Sequence, residues 1–321
     1  MFSNIRITRL LIQIKSIIFN DLTKIIKSPK IFLYIINYRA IQFINCIFNY
    51  KRFRDLTLIL NQEYYINLLD NHGKLKYKWL KKSLGTKLNA SQRLEILIHH
   101  YNYVKINLDK VIFNEKIYIG IELWVKKYDD NEIKITLASL DKKWIGRREG
   151  ELILNYIFNE QVIYSLAFTI APGSLFNCTY KDILFISGMQ SNNKFSYEYL
   201  FAKKILLEVT PQKILFFALI GVAEGLKIKC IKSVSAKTRA DVRESVSIFI
   251  NTYDLFLDSI YGIKRGINDY YSLEFPWLDR PRAEVRRCHR GRSLRRTVLK
   301  REIIESVKDK IYSIKKIHFI I

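Results

Sequence analysis

Near residue 117 the spacing of the apolar residues changes, and that change fixes the fold class. Before it the apolar residues recur at helical intervals. Ser28-Pro29 is a helix start, a capping serine followed by proline at the first helical position. In residues 31–50 the polar side chains Arg39, Gln42, Asn45 and Asn49 recur every three or four positions, a narrow polar stripe on an apolar helix. A helix of this kind packs inside a bundle or lies on a membrane surface. Residues 55–71 and 91–105 are expected to form two more helices. Past 117 the pattern alternates. Residues 117–125 and 132–137 flank a turn-rich 127–131 and predict a hairpin. Leu152, Leu154, Tyr156 and Phe158 share one face of the next strand, and Val162, Tyr164, Leu166, Phe168 and Ile170 share one face of its return. Residues 182–187 predict a short central strand. Helical spacing resumes over 195–208, and again from Thr210-Pro211 to a stop at Gly225. A strand over 227–235, helices over 241–250 and 252–262, and a hairpin over 264–275 complete the order.

This order predicts an α+β fold: an N-terminal helical region (1–110), a mixed, mainly antiparallel sheet domain (111–278) and a basic C-terminal helical tail (279–321). A strand–helix–strand crossover inside such a sheet resembles the acetyltransferase-like order of the GNAT superfamily. That resemblance implies coenzyme A or an acyl carrier protein as donor, held by the segment 187–194 with Gly188 and Gln190. The bland alternative is an ordinary strand-to-helix connection, because Gly188 is the one glycine where close backbone approach calls for several. A likeness of fold assigns no activity.

Charge is the second constraint. The 321 residues carry 54 Lys plus Arg against 30 Asp plus Glu, a net +24, which attracts polyanions. Ten basic residues crowd into positions 280–301. Arg282, Arg286, Arg287, Arg290, Arg295 and Arg296 are therefore the candidate anion- or partner-binding residues, for a lipid headgroup, RNA or an acidic protein. The competing reading is a packed surface helix whose arginines pair with Glu284 and other acids. Residues 302–317 predict an amphipathic helix behind this cluster. Hydrophobic residues make up 49% of the chain, which excludes a disordered protein.

Chemical motifs are scarce. Cys46, Cys178, Cys230 and Cys288 lie far apart, so neither a disulfide framework nor a zinc site is expected, and a reducing compartment fits. His99 and His100 are adjacent on a helix and point in different directions, so no metal site is assigned. Glu149 and Glu151 flank Gly150 after Arg148; this is an acid/base pair or a salt bridge at a turn. No catalytic residue is assigned. The first twenty residues hold Arg6, Arg9 and Lys15 and no export signal, and the longest uncharged apolar stretch, 214–223, is half of a membrane span. The expectation is a cytoplasmic protein with possible peripheral contact at the inner membrane and no transmembrane segment.

Several segments resemble the VirK/YbjX family of Gram-negative bacteria. They are Arg93-Leu94 through Leu97 to His100-Tyr101; Arg148-Glu149-Gly150-Glu151-Leu152 followed by Tyr164-Ser165-Leu166-Ala167-Phe168; and the run from Ile186 to Gln190. Lys204 and Pro211, Val234-Ser235, Tyr253-Asp254 through Gly262 and the basic ending add to the set, which covers about residues 90–310. The Ile-, Lys- and Asn-rich composition is most like the plasmid-borne virulence member. The resemblance adds Lys204 to the donor segment. It implies a role in virulence: surface display of an outer-membrane virulence protein, envelope integrity and resistance to antimicrobial peptides. The chain departs from the family at Ser191 and Glu208, where glycines are usual, and near Thr238-Arg239, where a histidine is. Those departures put ligand binding at these positions in doubt.

Overall fold

The structure, a computed structural model, describes residues 29–73, 75–81, 83–139, 149–239, 253–266, 268–277, 281–284, 288 and 290–316. The helix expected over 241–250, Arg148, Arg286 and Arg287 lie outside the described residues, as does the side chain of Arg282. The chain divides into two compact units, one ending at Leu58 and one beginning at Ile59.

The first unit holds α1 (Pro29–Phe48) and most of α2 (Tyr50–Leu60). Backbone bonds from Asn49 N to Asn45 O (3.0 Å) and from Phe53 N to Asn49 O (2.8 Å) carry helical bonding through the join. The single helix expected over 55–71 is interrupted. A 3-10 turn at Glu63–Tyr65 separates α2 from α3 (Ile66–Asn71). The interruption brings two adjacent tyrosines inside: Tyr65 OH donates to Tyr101 O, and Tyr64 OH donates to Leu108 O at 3.0 Å. Buried hydroxyls need such acceptors.

α4 (Ala90–Asn107) starts on a capping box: Asn89 Oδ1 accepts from Gln92 N, and Asn89 N donates to Gln92 Oε1, both at 2.9 Å. Among the described residues the eight strands are β1 (Ile121–Tyr128), β2 (Asn131–Ser139), β3 (Leu152–Phe158), β4 (Gln161–Pro172), β5 (Asp182–Ser191), β6 (Cys230–Ser233), β7 (Lys264–Arg265) and β8 (Tyr271–Glu274). They form one sheet in the order β1-β2-β3-β4-β5-β6-β8-β7. The β3–β4 hairpin closes on Asn159-Glu160, both at positive φ (44° and 64°), the geometry of a two-residue turn that matches strand twist. β5 and β6 run parallel, joined by α5 (Ser196–Ile205) and α6 (Pro211–Leu226); every other pairing is antiparallel. The fold is thus α+β with a mixed, mostly antiparallel sheet, as the periodicity predicts.

β4 is buried at every position from Ile163 to Ala171, so both its faces are covered. α4 and α6 both pack on it. The outer layer is α8 (Arg290–Ser313), which lies on α6 and buries Leu299, Ile303, Ile304, Val307 and Ile311. It is longer than the helix expected over 302–317, because the arginine-rich segment is helical too. Between β6 and β7 the described helix is α7 (Leu255–Asp258).

Gly225 does not stop α6. The helix runs on to Leu226 and ends where Lys227 turns left-handed at φ 60°. Gly225 and Gly221 instead admit α8: a Cβ on Gly221 would stand 2.6 Å from Ile304 O, and one on Gly225 would stand 2.8 Å from Ile311 Cβ. Helix propensity alone favours Gly221→Ala by about 1 kcal/mol. We expect the reverse, a loss of roughly 1–3 kcal/mol in urea unfolding, because the added methyl overpacks the contact. A stabilised variant would show that α8 lies farther from α6.

Candidate functional site

Glu149-Gly150-Glu151 crosses β4 immediately before β3 begins. Gly150 has φ +57°, and a Cβ there would meet Phe168 N at 2.8 Å and Ala167 Cβ at 2.9 Å. The crossing is pinned by Glu151 N donating to Phe168 O at 3.0 Å. Both flanking carboxylates are buried, so each requires a cation.

Glu151 receives Lys78, whose Nζ lies 2.6 Å from Oε1 and also donates to Gly150 O. Tyr101 OH, from α4, donates to Glu151 Oε2. Lys78 sits on the 3-10 turn Leu75–Leu80, next to Trp79, whose carbonyl is held by Arg93 Nε at 2.9 Å. Burial pushes the Lys78 ammonium below its ordinary pKa, and the Glu151 and Glu149 carboxylates oppose that shift. Glu149 pairs with Arg239, Nη2 to Oε1 at 2.7 Å. The guanidinium carbon of Arg239 lies 5.6 Å from the Tyr253 ring centroid, and Tyr253 OH is 3.3 Å from Ser233 Oγ. Two acids and two bases thus close a neutral cluster in the core.

The cluster sits where the parallel strands part. β5 and β6 pair only from Leu184–Ile231 to Ile186–Ser233. Beyond that, β5 continues beside β4 to Ser191, while the chain after β6 turns back at Ser235, whose N donates to Thr238 Oγ1 at 2.8 Å. Gly188 faces this divergence, and a Cβ on it would fall 1.9 Å from Glu149 Oε2. Its missing side chain therefore makes room for the chain's own carboxylate. Gly188 and Gln190 lie inside β5, not in a connection after it; this corrects the expected loop. Pairing with β4 holds that stretch extended, Gly188 opposite Ala167 and Gln190 opposite Ser165. Lys204 is exposed in the last turn of α5.

The two histidines differ. His100 is buried, and its Nδ1 accepts from Ile170 N at 3.2 Å; burial first, then His99 and Lys78, push its pKa down to about 3. His99 Nε2 lies 2.8 Å from Asp182 Oδ1, and burial pushes its pKa down. Among the described residues no group of three His, Cys, Asp or Glu side chains has the geometry to hold a metal.

The arginine cluster is divided by α8. Arg296 is committed to the fold: Nε donates to Leu207 O at 2.8 Å and Nη2 to Glu208 O at 3.3 Å, closing a turn in which both residues have positive φ. Arg296 thus holds a turn of the fold as well as standing among the candidate anion-binding residues. Lys300 is buried, its Nζ 3.6 Å from the Trp277 ring centroid. Arg290 is half-buried in the first turn, whereas Arg292, Arg295 and Arg301 are exposed. No acid occurs between 290 and 301. Arg295 and Arg301 share an outward side with the exposed Leu294 and Val298, whereas Arg292, four residues before Arg296, lies on that residue's side. Sequence reasoning placed the cluster but not this division, which depends on which helix face meets α6.

Fold and site define an α+β sheet protein with a neutral buried charge cluster and an arginine-faced outer helix. The chain belongs to the DUF535 family, described as proteins of unknown function, whose model matches residues 33–309; this is the VirK/YbjX family. No curated protein matches the chain, and no solved structure does.

Glu151→Gln strands a buried ammonium, so we expect it to cost about 3–5 kcal/mol in denaturant unfolding. Adding Lys78→Met should recover at least about 1 kcal/mol of that loss, the coupling a double-mutant cycle reads; strictly additive losses would refute the pairing. His100 supplies a pH signature. Between pH 6.5 and about 3 the unfolded chain binds a proton that the folded chain refuses. Stability therefore falls on acidification, by up to about 1.4 kcal/mol per pH unit from this group. His100→Asn should flatten the slope in that window, and an unchanged slope would mean the ring protonates in the folded state.

Proposed function

We propose that this chain is a non-catalytic envelope and virulence factor of its family, acting from the cytoplasm by holding an anionic partner on α8. The observation that supports this is the acid-free first half of α8, with Arg292, Arg295 and Arg301 exposed, the last two beside Leu294 and Val298. Guanidinium groups bind phosphates by paired hydrogen bonds, and an unopposed row of them gives affinity that salt weakens. The partner class is an anionic one: a lipid headgroup, RNA or an acidic protein. The family resemblance supports the physiological setting, surface display of an outer-membrane protein and resistance to antimicrobial peptides.

A second reading is an acyltransferase-like enzyme that modifies an envelope component or a protein amine, with coenzyme A or an acyl carrier protein as donor. The crossover between parallel β5 and β6 favours it. Against it stands Glu149, whose carboxylate lies on Gly188 where the two strands part.

The tests are separate. Binding to a soluble inorganic polyphosphate should fall steeply from 50 mM to 200 mM salt. The variant R292A/R295A/R301A should bind at least tenfold more weakly at about 50 mM salt, with a salt slope shallower by about one per arginine that contacts phosphate. Equal binding by the variant would sink the first reading. For the second, millimolar coenzyme A should raise the melting temperature; no rise would count against it.

A further inference from the structure

α1 presents the wrong face to water. Its polar stripe turns inward: Gln42 is 4% exposed and lies 3.5 Å from Arg39 Nη1, and Cys46 beside it is 1% exposed. The opposite side carries Ile41, Ile44, Ile47 and Phe48, which are 57%, 48%, 50% and 85% exposed. Spacings of three and four, from Ile41 to Ile44 and from Ile44 to Ile47 and Phe48, put these four on one side of the helix, with Tyr38, 38% exposed, toward its edge. No charged residue stands on that side. Isolated exposed apolar side chains need no explanation, but a continuous exposed stripe marks a contact surface.

The charges around the stripe say what that contact is. The helical bonding that runs through Asn49 into α2 brings Lys51, Arg52 and Arg54, all exposed, just past Phe48. From residue 38 to 58 there are four basic residues, Arg39, Lys51, Arg52 and Arg54, and one acid, Asp55. A second copy of the helix packed on this stripe would bring like charges together with a single acid per chain to offset them. A surface of lipid phosphates over acyl chains matches both the apolar line and its basic end. No described helix is long and apolar enough to cross a membrane, so the contact lies along the surface.

We propose that α1 docks in the plane of an anionic lipid surface, with Ile41, Ile44 and Phe48 entering the acyl boundary and Lys51 and Arg52 meeting the phosphates. This goes beyond the partner site on α8 and is carried by different residues. The full chain should float with phosphatidylglycerol vesicles and at least tenfold less with phosphatidylcholine vesicles. I41N/I44N/F48S, all outward substitutions, should lose at least tenfold in partitioning to the anionic vesicles yet bind soluble polyphosphate as the unaltered chain does. In a separate F48W variant, brominated-chain lipid should quench the added fluorescence; this reading stands even where the triple variant folds poorly. Three results overturn the proposal: partitioning unchanged in the folded triple variant, no quenching at position 48, or a vesicle-independent dimer that the triple variant dissolves. Failure of the α8 arginines to bind polyphosphate would leave it intact.

Discussion

The second unit is organised by the crossing of Glu149-Gly150-Glu151 over β4. One tripeptide drives two carboxylates into the core on either side of a left-handed glycine. Neither acid is left alone, since an unpaired buried charge costs about 3–5 kcal/mol, a large part of what a fold gains. Each therefore recruits a cation from a remote part of the chain: Lys78 from the turn before α4, and Arg239 from the segment after β6. The pairs fix register. They hold the N-terminal turn, the centre of the sheet and the chain beyond β6 in one arrangement, and a slipped alternative would strand a charge. Buried ion pairs of this kind are weak sources of net stability. Their effect is to make wrong packings expensive.

The same interaction bears on chemistry. The parting of parallel β5 and β6 opens a position at Gly188 that a bound ligand would find attractive in a sheet of this order. Here a side chain of the protein lies in it, already neutralised by Arg239 and bounded by Tyr253. Both carboxylates have cations, and His100 is a neutral acceptor for a backbone amide.

Element type was legible wherever periodicity is strong. The switch from helical to alternating spacing near residue 117, the helix start at Pro211 and the single crossover all follow from local chemistry. Element ends were less so, since tertiary contacts decide them. Gly225 looks like a stop and is a helix–helix contact; Gly188 looks like a loop glycine and lies in a strand against a carboxylate. Residues 55–71 look like one helix and are broken so that Tyr64 and Tyr65 can both reach carbonyl groups. The charge cluster was visible only as two glutamates around a glycine. Its cations come from 73 and 90 residues away, and no local pattern announces a pair at that separation. The arginine cluster was plain, but its division into committed and outward-facing members depends on how α8 is rotated.

The position of α8 also orders events in time. Its apolar side covers α6, and the residues just past it bond back to the end of α4, Lys316 N to Asn107 O at 2.9 Å and Asp109 N to Ile314 O at 2.9 Å. A chain emerging from the ribosome can pair all eight strands before any of this helix is available. Until then α6 lies with Gly221 and Gly225 open to solvent, an apolar surface that a half-made protein must carry. The last described element is therefore also the lid on the core. A chain cut before it would lose the cover over α6 and the side chains of Glu302 and Ser306 that hold β1.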